Sequence, residues 1–354
     1  MTAIGSETTT TAPRGSTTTA PREAGFEVRW QRVPLDREKL RELARRTDGE
    51  GFLQCFGFLA LLGATGTASW LAWGRLPWYI VVPILFVHGT FFAFLLNGFH
   101  ELVHGTVFKT KALNAIFLHI YSFLGWNSHI AFRASHTRHH LNTLHPPYDL
   151  EVVLPIQLKP AGFLLAAVVD VVGIYGVVRD TILLSFGVVR GEWQLHLFPP
   201  SDKEARRPLV RWARLVLLGQ AVIIAVSALT GLWQLAVIVS AARFYGGWLQ
   251  WLCNNTQHVG LQDNVEDFRL CCRTVKLNPF VRFLYFHMNY HVEHHMYASI
   301  PCYHLGRLRR ELLPALPRAK WLVPAWIEII GILRKQKREP GYRYVVPLPS
   351  PKAS

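Results

Sequence analysis

His100-Glu-Leu-Val-His104 sets two imidazoles four residues apart, and on a helix that spacing puts both on one face, roughly 5–6 Å apart at Cβ. Three further groups have the same character: His136-Thr-Arg-His139-His140, Asn254-Asn-Thr-Gln-His258 and His291-Val-Glu-His294-His295. The H-x-x-H-H pattern presents positions i, i+3 and i+4 along one helical stripe, so three rings can reach one place. Nine of the sixteen histidines fall in these groups. Imidazole suits iron, copper, zinc and nickel. A structural zinc takes four ligands and a catalytic zinc typically three, so nine overshoot a single ion. Two ions with four or five nitrogens each, and a coordination position left open, use the count well. Each ring also needs a partner for its other nitrogen. Glu101, Asn142, Asp149, Glu151, Asp263, Glu266, Asp267 and Glu293 lie near the groups in sequence.

The elements that must position these residues are apolar. Of 354 residues, 50% are hydrophobic, 12% aromatic and only 17% charged, and the apolar residues collect in long runs. At 1.5 Å per residue, about 20 residues cover the hydrocarbon core of a bilayer. Four runs have that length, at about 51–73, 78–99, 209–230 and 232–253, and the second leads directly into His100. The two short connections hold one basic residue between them, while 22–46 and 318–343 are rich in Lys and Arg. The positive-inside rule therefore puts both termini in the cytoplasm, with four crossings in two hairpins. The same rule accounts for the net charge of +15 without nucleic acid.

Two other apolar stretches, 112–132 and 161–189, are ambiguous, since the second contains Asp170, Arg179 and Asp180, each costly at mid-bilayer. One shared metal site needs an even number of crossings between groups, so both read as helices lying in or dipping into the cytoplasmic interface. The fold expected is all-α and membrane-integral, with a cytoplasmic cap over the histidines. Residues 1–25 hold the near-repeat TTTTAPR and STTTAPR and read as a disordered tail with no signal-peptide apolar region. The membrane domain is expected over 26–340 and a C-terminal tail over 341–354. Cys55, Cys253, Cys271, Cys272 and Cys302 show no CxxC pair and read as reduced thiols.

These residues resemble the membrane fatty acid desaturase and hydroxylase superfamily, the integral-membrane non-haem di-iron enzymes, over roughly 50–310. Its three histidine boxes correspond to His100-x3-His104, His136-x2-His139-His140 and His291-x2-His294-His295. The Asn-x3-His element of the acyl-CoA desaturase branch corresponds to Asn254 and His258. Ser135-His-Thr-Arg-His-His140 and Met288-Asn-Tyr-His-Val-Glu-His-His-Met296 look like a bacterial subgroup of fatty acid desaturases or hydrocarbon oxygenases. The resemblance implies nine histidine ligands to two iron ions, with Asn254 acting through water. It also implies O2 as co-substrate, hydrogen removal from an unactivated C–H bond of a lipid or acyl chain, and either an alkene or an alcohol as product. With no cytochrome b5-like pattern and no ferredoxin-type cysteine set in the sequence, electrons are expected from a separate donor, a ferredoxin, rubredoxin or cytochrome b5 with its reductase. Glu101, Asp149, Glu293 and His287 are the candidates to support the ligands, and the inner membrane is the expected location.

Each feature has a plainer alternative. His100-Glu101-x-x-His104 is also the HExxH pattern of zinc proteases, with Glu101 as general base; that reading needs one further ligand and leaves seven of the nine histidines mostly idle. Haem-binding pairs sit mid-span rather than at span ends, and a histidine proton relay in a transporter is a third class. His88, His119, His129, His145, His196 and His304 read as packing residues. Arg243, inside the fourth run, costs about 2.5–3.5 kcal/mol on insertion scales, so it is expected to pair with Asp170 or to bind an acidic substrate group. Trp248, Trp251 and Phe244 could line a substrate tunnel or simply pack. Asn254-Asn-Thr256 matches a glycosylation sequon, a false match if it faces the cytoplasm.

Overall fold

The computed structural model describes residues 28–349. The tail expected over 1–25 and the last residues of the C-terminal tail lie outside the described residues. The described chain is mostly helical, with two short parallel strands, Val275–Lys276 and Lys320–Trp321.

Among the described residues, three helices are long and apolar enough to cross a membrane: Asp48–Ala72, Trp78–Val103 and Lys203–Thr230. The first begins with Thr47, whose side chain accepts the Glu50 amide and covers one of the four amides left open at a helix start. It then turns through Gly74 and Pro77 into the second. Leu53, Phe56, Trp78, Tyr79, Val82, Leu218 and Leu229 are exposed on these helices. So much bare apolar surface on long helices is what a lipid environment requires. The second helix is jointed at Phe94, which separates Trp78–Ala93 from Leu95–Val103. The joint presents the His100 stretch to the cap. Gly98 makes this possible, because a Cβ there would come within 2.3 Å of Tyr121 and 2.6 Å of Phe286.

The fourth apolar run, 232–253, is not one helix. It consists of a short turn at Trp233–Leu235, a π-helical turn at Ala236–Ser240, a 3-10 turn at Ala242–Phe244, and a helix at Trp248–Asn254. Two residues break it. Arg243 turns its guanidinium to the Gly125 carbonyl and to Asn127 Oδ1, the latter at 3.3 Å. Gly246 adopts φ +70° where a Cβ would meet the Phe86 carbonyl at 2.6 Å. The freed backbone groups are answered by another segment: Asp170 N–H donates to Phe244 O at 2.7 Å and Gly246 N–H to Val168 O at 3.1 Å. Broken helix at membrane depth is tolerated only where protein satisfies it in this way. Arg243 therefore bonds the 125–127 turn rather than the Asp170 side chain, which caps its own helix by accepting from Gly173 N–H.

The two ambiguous stretches also divide. The first becomes Lys111–Leu124 and, after a turn with Trp126 at φ +54°, His129–Asn142, which carries the second histidine group. The second becomes Pro160–Val168 and Val171–Ser185, separated at the point where the broken fourth run pairs with it. The cap is built from the N-terminal segment, the second histidine helix and residues 255–340, around buried Leu43, Phe268, Met296, Leu305 and Leu308. Trp30 ties the N-terminal segment down, stacking on Phe268 at 3.9 Å and donating to the Leu141 carbonyl.

Candidate metal centre

The four histidine groups, up to 195 residues apart in sequence, meet in one place under the cap. His100 and His104 close the jointed second helix, His136, His139 and His140 lie on His129–Asn142, and His291, His294 and His295 lie on His291–Met296. His258 follows Trp248–Asn254 in a turn. Seven of the nine rings are buried, and His104 and His140 are half-buried.

The ring nitrogens sort into two clusters. His100, His104, His136, His140 and His294 form one, with one nitrogen from each lying within 4.8 Å of all the others. His258, His291 and His295 form the second, within the same limit, together with Cys272. His139 stands beside the second cluster, its ring 5.2 Å from that of His258 and 5.0 Å from that of His295. Within the first cluster His140 Nε2 lies 3.0 Å from His136 Nε2 and 3.2 Å from His294 Nε2. Within the second, His291 Nε2 lies 2.9 Å from His258 Nε2 and 3.1 Å from His295 Nε2.

Burial decides the protonation of these rings. It holds His136, His140, His291, His294 and His295 well below the usual histidine range, and brings His258 down to about 3. His139 goes the other way: burial opposes its charge, but the Asp149 carboxylate more than offsets that and raises it. At such distances one N–H is shared among three facing nitrogens in each cluster, so lone pairs remain turned toward it. His104 Nε2 is buried without a hydrogen-bond partner. Leaving such a group unmet costs about 1–3 kcal/mol. A cation in each cluster resolves the conflict, since neutral imidazole is the form that ligates. The residues present thus fit two metal ions.

Behind the rings stand their supports. His136 Nδ1 donates to Glu151 at 2.8 Å and His139 Nδ1 to Asp149 at 2.8 Å. His258 Nδ1 donates to the Cys271 carbonyl at 2.8 Å, and His295 Nδ1 lies 3.1 Å from the Thr143 hydroxyl. Glu101 Oε1 lies 3.3 Å from His100 Nδ1 and 3.6 Å from His294 Nδ1, within reach of charge attraction but without hydrogen-bond geometry.

Two expected supports do other work. Glu293 bonds the Thr274 hydroxyl at 2.5 Å and the Arg309 guanidinium, anchoring the third histidine helix to the cap rather than orienting a ring. His287 belongs to neither cluster and occupies a tight turn at φ +57°. Asp263 and Asp267 pair with Arg343 and Arg269.

A cavity of about 10 Å³, room for one water-sized molecule, touches both clusters. Its polar lining includes Asn97, Glu151, Asn254 and Gln257; its apolar lining is Leu96, Phe132, Val152 and Met288. Asn254 is thus at the cavity beside His258 and His291. Trp248 and Trp251 do not line it, and Trp251 stacks instead on Trp326 at 5.6 Å.

Residues 76–325 match the family described as Fatty acid desaturase. The chain belongs to the fatty acid desaturase family. No curated protein matches it. Membership agrees with the apolar helices and makes this an integral membrane protein of an oxidoreductase family whose members are typically iron-dependent. Two features of this desaturase-family centre were not visible in the spacing of its boxes. Cys272 joins the second cluster because the turn at Phe268–Cys271 packs against His295 and His258. Ser135, whose hydroxyl donates to Glu151 at 2.6 Å, supports the support.

Proposed function

We propose that this protein is an O2-dependent di-iron desaturase of an alkyl chain, acting on a fatty acyl or related lipid substrate, within the bacterial desaturase and hydrocarbon oxygenase-like subgroup. The observation that carries this reading is the cavity: one space bordered by His100 and His136 of one cluster and by His258 and His291 of the other. In this reading His100, His104, His136, His140 and His294 hold one iron, and His139, His258, His291 and His295 hold the other, with Asn254 contributing through water. Bound iron would supply the activation of O2 needed to take hydrogen from an unreactive C–H bond.

The chain's own residues do the rest. Phe132, Leu96, Val152 and Met288 exclude bulk water from the space between the clusters. Glu151 and Asp149 fix two rings, and the cap closes the centre. Electrons come from an external ferredoxin, rubredoxin or cytochrome b5-type donor. The broken run 232–253 completes a fourth crossing in this topology, with termini and metal centre on the cytoplasmic side of the inner membrane. A zinc protease based on His100 and His104 is disfavoured because Glu101, its required base, is fully buried behind His100 and His294.

Two measurements test this. Purified protein should carry two irons per chain; one zinc, or no metal, overturns the reading. Lipid profiling of an expressing host should reveal a new alkene that disappears with His139→Ala. A new alcohol in its place makes the enzyme a hydroxylase, and a product that persists in the variant refutes the ligand assignment.

A further inference from the structure

The connection between Val171–Ser185 and Lys203–Thr230 carries a short helix, Glu192–Leu197. Its Trp193 reaches back to the second histidine helix. The indole N–H donates to Ser135 Oγ at 2.9 Å, the Ser135 hydroxyl donates to Glu151 Oε2 at 2.6 Å, and His136 Nδ1 donates to Glu151 Oε1 at 2.8 Å. The indole itself is held by stacking on His196, 5.4 Å away at 13°. Ser135, Glu151 and His136 are buried, and Trp193 is half-buried. A path of three hydrogen bonds therefore runs from the edge of the protein to a ring of the five-histidine cluster.

A serine hydroxyl has one proton to give and can give it to only one acceptor. On a helix, the competing acceptor is the carbonyl one turn back, here that of Ala131. The indole occupies a lone pair of Ser135 and so fixes the hydroxyl rotor with its proton toward Glu151. We propose that Trp193 is a positioning residue for one of the two metal positions: through Ser135 it holds the Glu151 carboxylate on Nδ1 of His136 and thereby sets that ring's tautomer and aim. His139 needs no such arm, because its carboxylate, Asp149, is fixed by the backbone amides of Leu144 and Glu151.

The inference rests on the reading that these clusters hold two metal ions. Its test uses the purified full-length chain, stripped of metal and titrated with Co²⁺ as the probe, following both affinity and the visible ligand-field absorption. Trp193→Phe keeps the ring and removes the N–H. It should weaken one Co²⁺ position about 3- to 10-fold and shift that position's absorption, leaving the other unchanged. Glu151→Gln, which removes the direct partner, should cost the same position about 10- to 100-fold. The double variant should be no weaker than Glu151→Gln alone, because both act through one carboxylate. Ser135→Ala should mimic Trp193→Phe, and Ser135→Thr, which keeps a hydroxyl, should restore binding.

Three results would overturn the proposal: equal weakening of both positions together with a lower melting temperature of the metal-free protein, no change in either position, or additive effects of Trp193→Phe and Glu151→Gln. A parent protein that binds no metal overturns the functional reading itself, whereas a parent that binds two ions and a Trp193→Phe variant identical to it overturns only this inference.

Discussion

Asp149→Asn is a severe test of the centre because it changes one atom in a side chain with no exposed surface. Asp149 Oδ2 accepts from His139 Nδ1 and from Leu144 N–H, each at 2.8 Å, and Oδ1 accepts from Glu151 N–H at 2.9 Å. An amide has one acceptor oxygen. Placed at the Oδ2 position it keeps two of the bonds, but its NH2 then faces the Glu151 amide, donor against donor. Placed the other way it forfeits two. The better choice leaves one buried N–H unmet, at about 1–3 kcal/mol, and strips the remaining bonds of their charge, at roughly 1 kcal/mol each. The sum, about 3–5 kcal/mol, is a large share of the 5–15 kcal/mol typical of a folded domain. The variant should fold, melt more than about 5 °C lower by scanning calorimetry in detergent, and release metal to a chelator about 10- to 100-fold more readily. A melting temperature within 1 °C of the parent, with unchanged chelator resistance, would refute the bonding described for Asp149.

Further outcomes follow from the same geometry. Gly98→Leu, whose side chain would occupy the space of Tyr121 and Phe286, should cost at least the 1–3 kcal/mol of an overpacked core and sharply reduce the yield of folded protein in fluorescence-detected size exclusion. Arg243→Met strands the Gly125 carbonyl and should cost about 1–3 kcal/mol, read as a lower melting temperature without loss of bound metal. In metal-free protein the His139–Asp149 pair has a worked pH signature. Asp149 is held below its usual value, its burial outweighed by His139, so its contribution is present above about pH 4 and is lost as pH falls through the folded value. His139 is raised, so its contribution is complete below about pH 6.5 and is lost as pH rises through the folded value. The pair should stabilise most between those limits, and melting curves of Asp149→Asn against the parent should differ most there.

What could be read in the sequence is what helical periodicity encodes. The spacings His100-x3-His104, His136-x2-His139-His140 and His291-x2-His294-His295 determine which rings share a stripe, and the structure brings those stripes together. Length and composition likewise locate three of the apolar helices. Tertiary choices were not legible. The run 232–253 has the composition of a span, but Arg243 and Gly246 break it because a carbonyl of the 125 turn and the backbone of 168–170 are there to receive them. Glu293 sits between two histidines in sequence, yet on a helix that position points away from their stripe, toward Thr274 and Arg309. Cys272 carries no spacing signal, since its place in the second cluster depends only on how the 268–271 turn packs.

The two clusters are mechanically one object, and the second histidine helix is the reason. His136 belongs to the five-histidine cluster while His139, three residues on, stands beside the other, so a single turn of His129–Asn142 spans both. Their carboxylates are two residues apart in one short segment, and Glu151 N–H is itself bonded to Asp149 Oδ1 at 2.9 Å. His140 extends the linkage: its ring lies 4.4 Å from that of His295 in the second cluster while its Nε2 faces His136 and His294 in the first. The Glu151 side chain serves the first cluster alone, whereas its backbone amide holds Asp149 for the second, so a shift of the 149–151 backbone moves a ring in each. The spacing between the two clusters is therefore set jointly by the His129–Asn142 helix and the 149–151 segment.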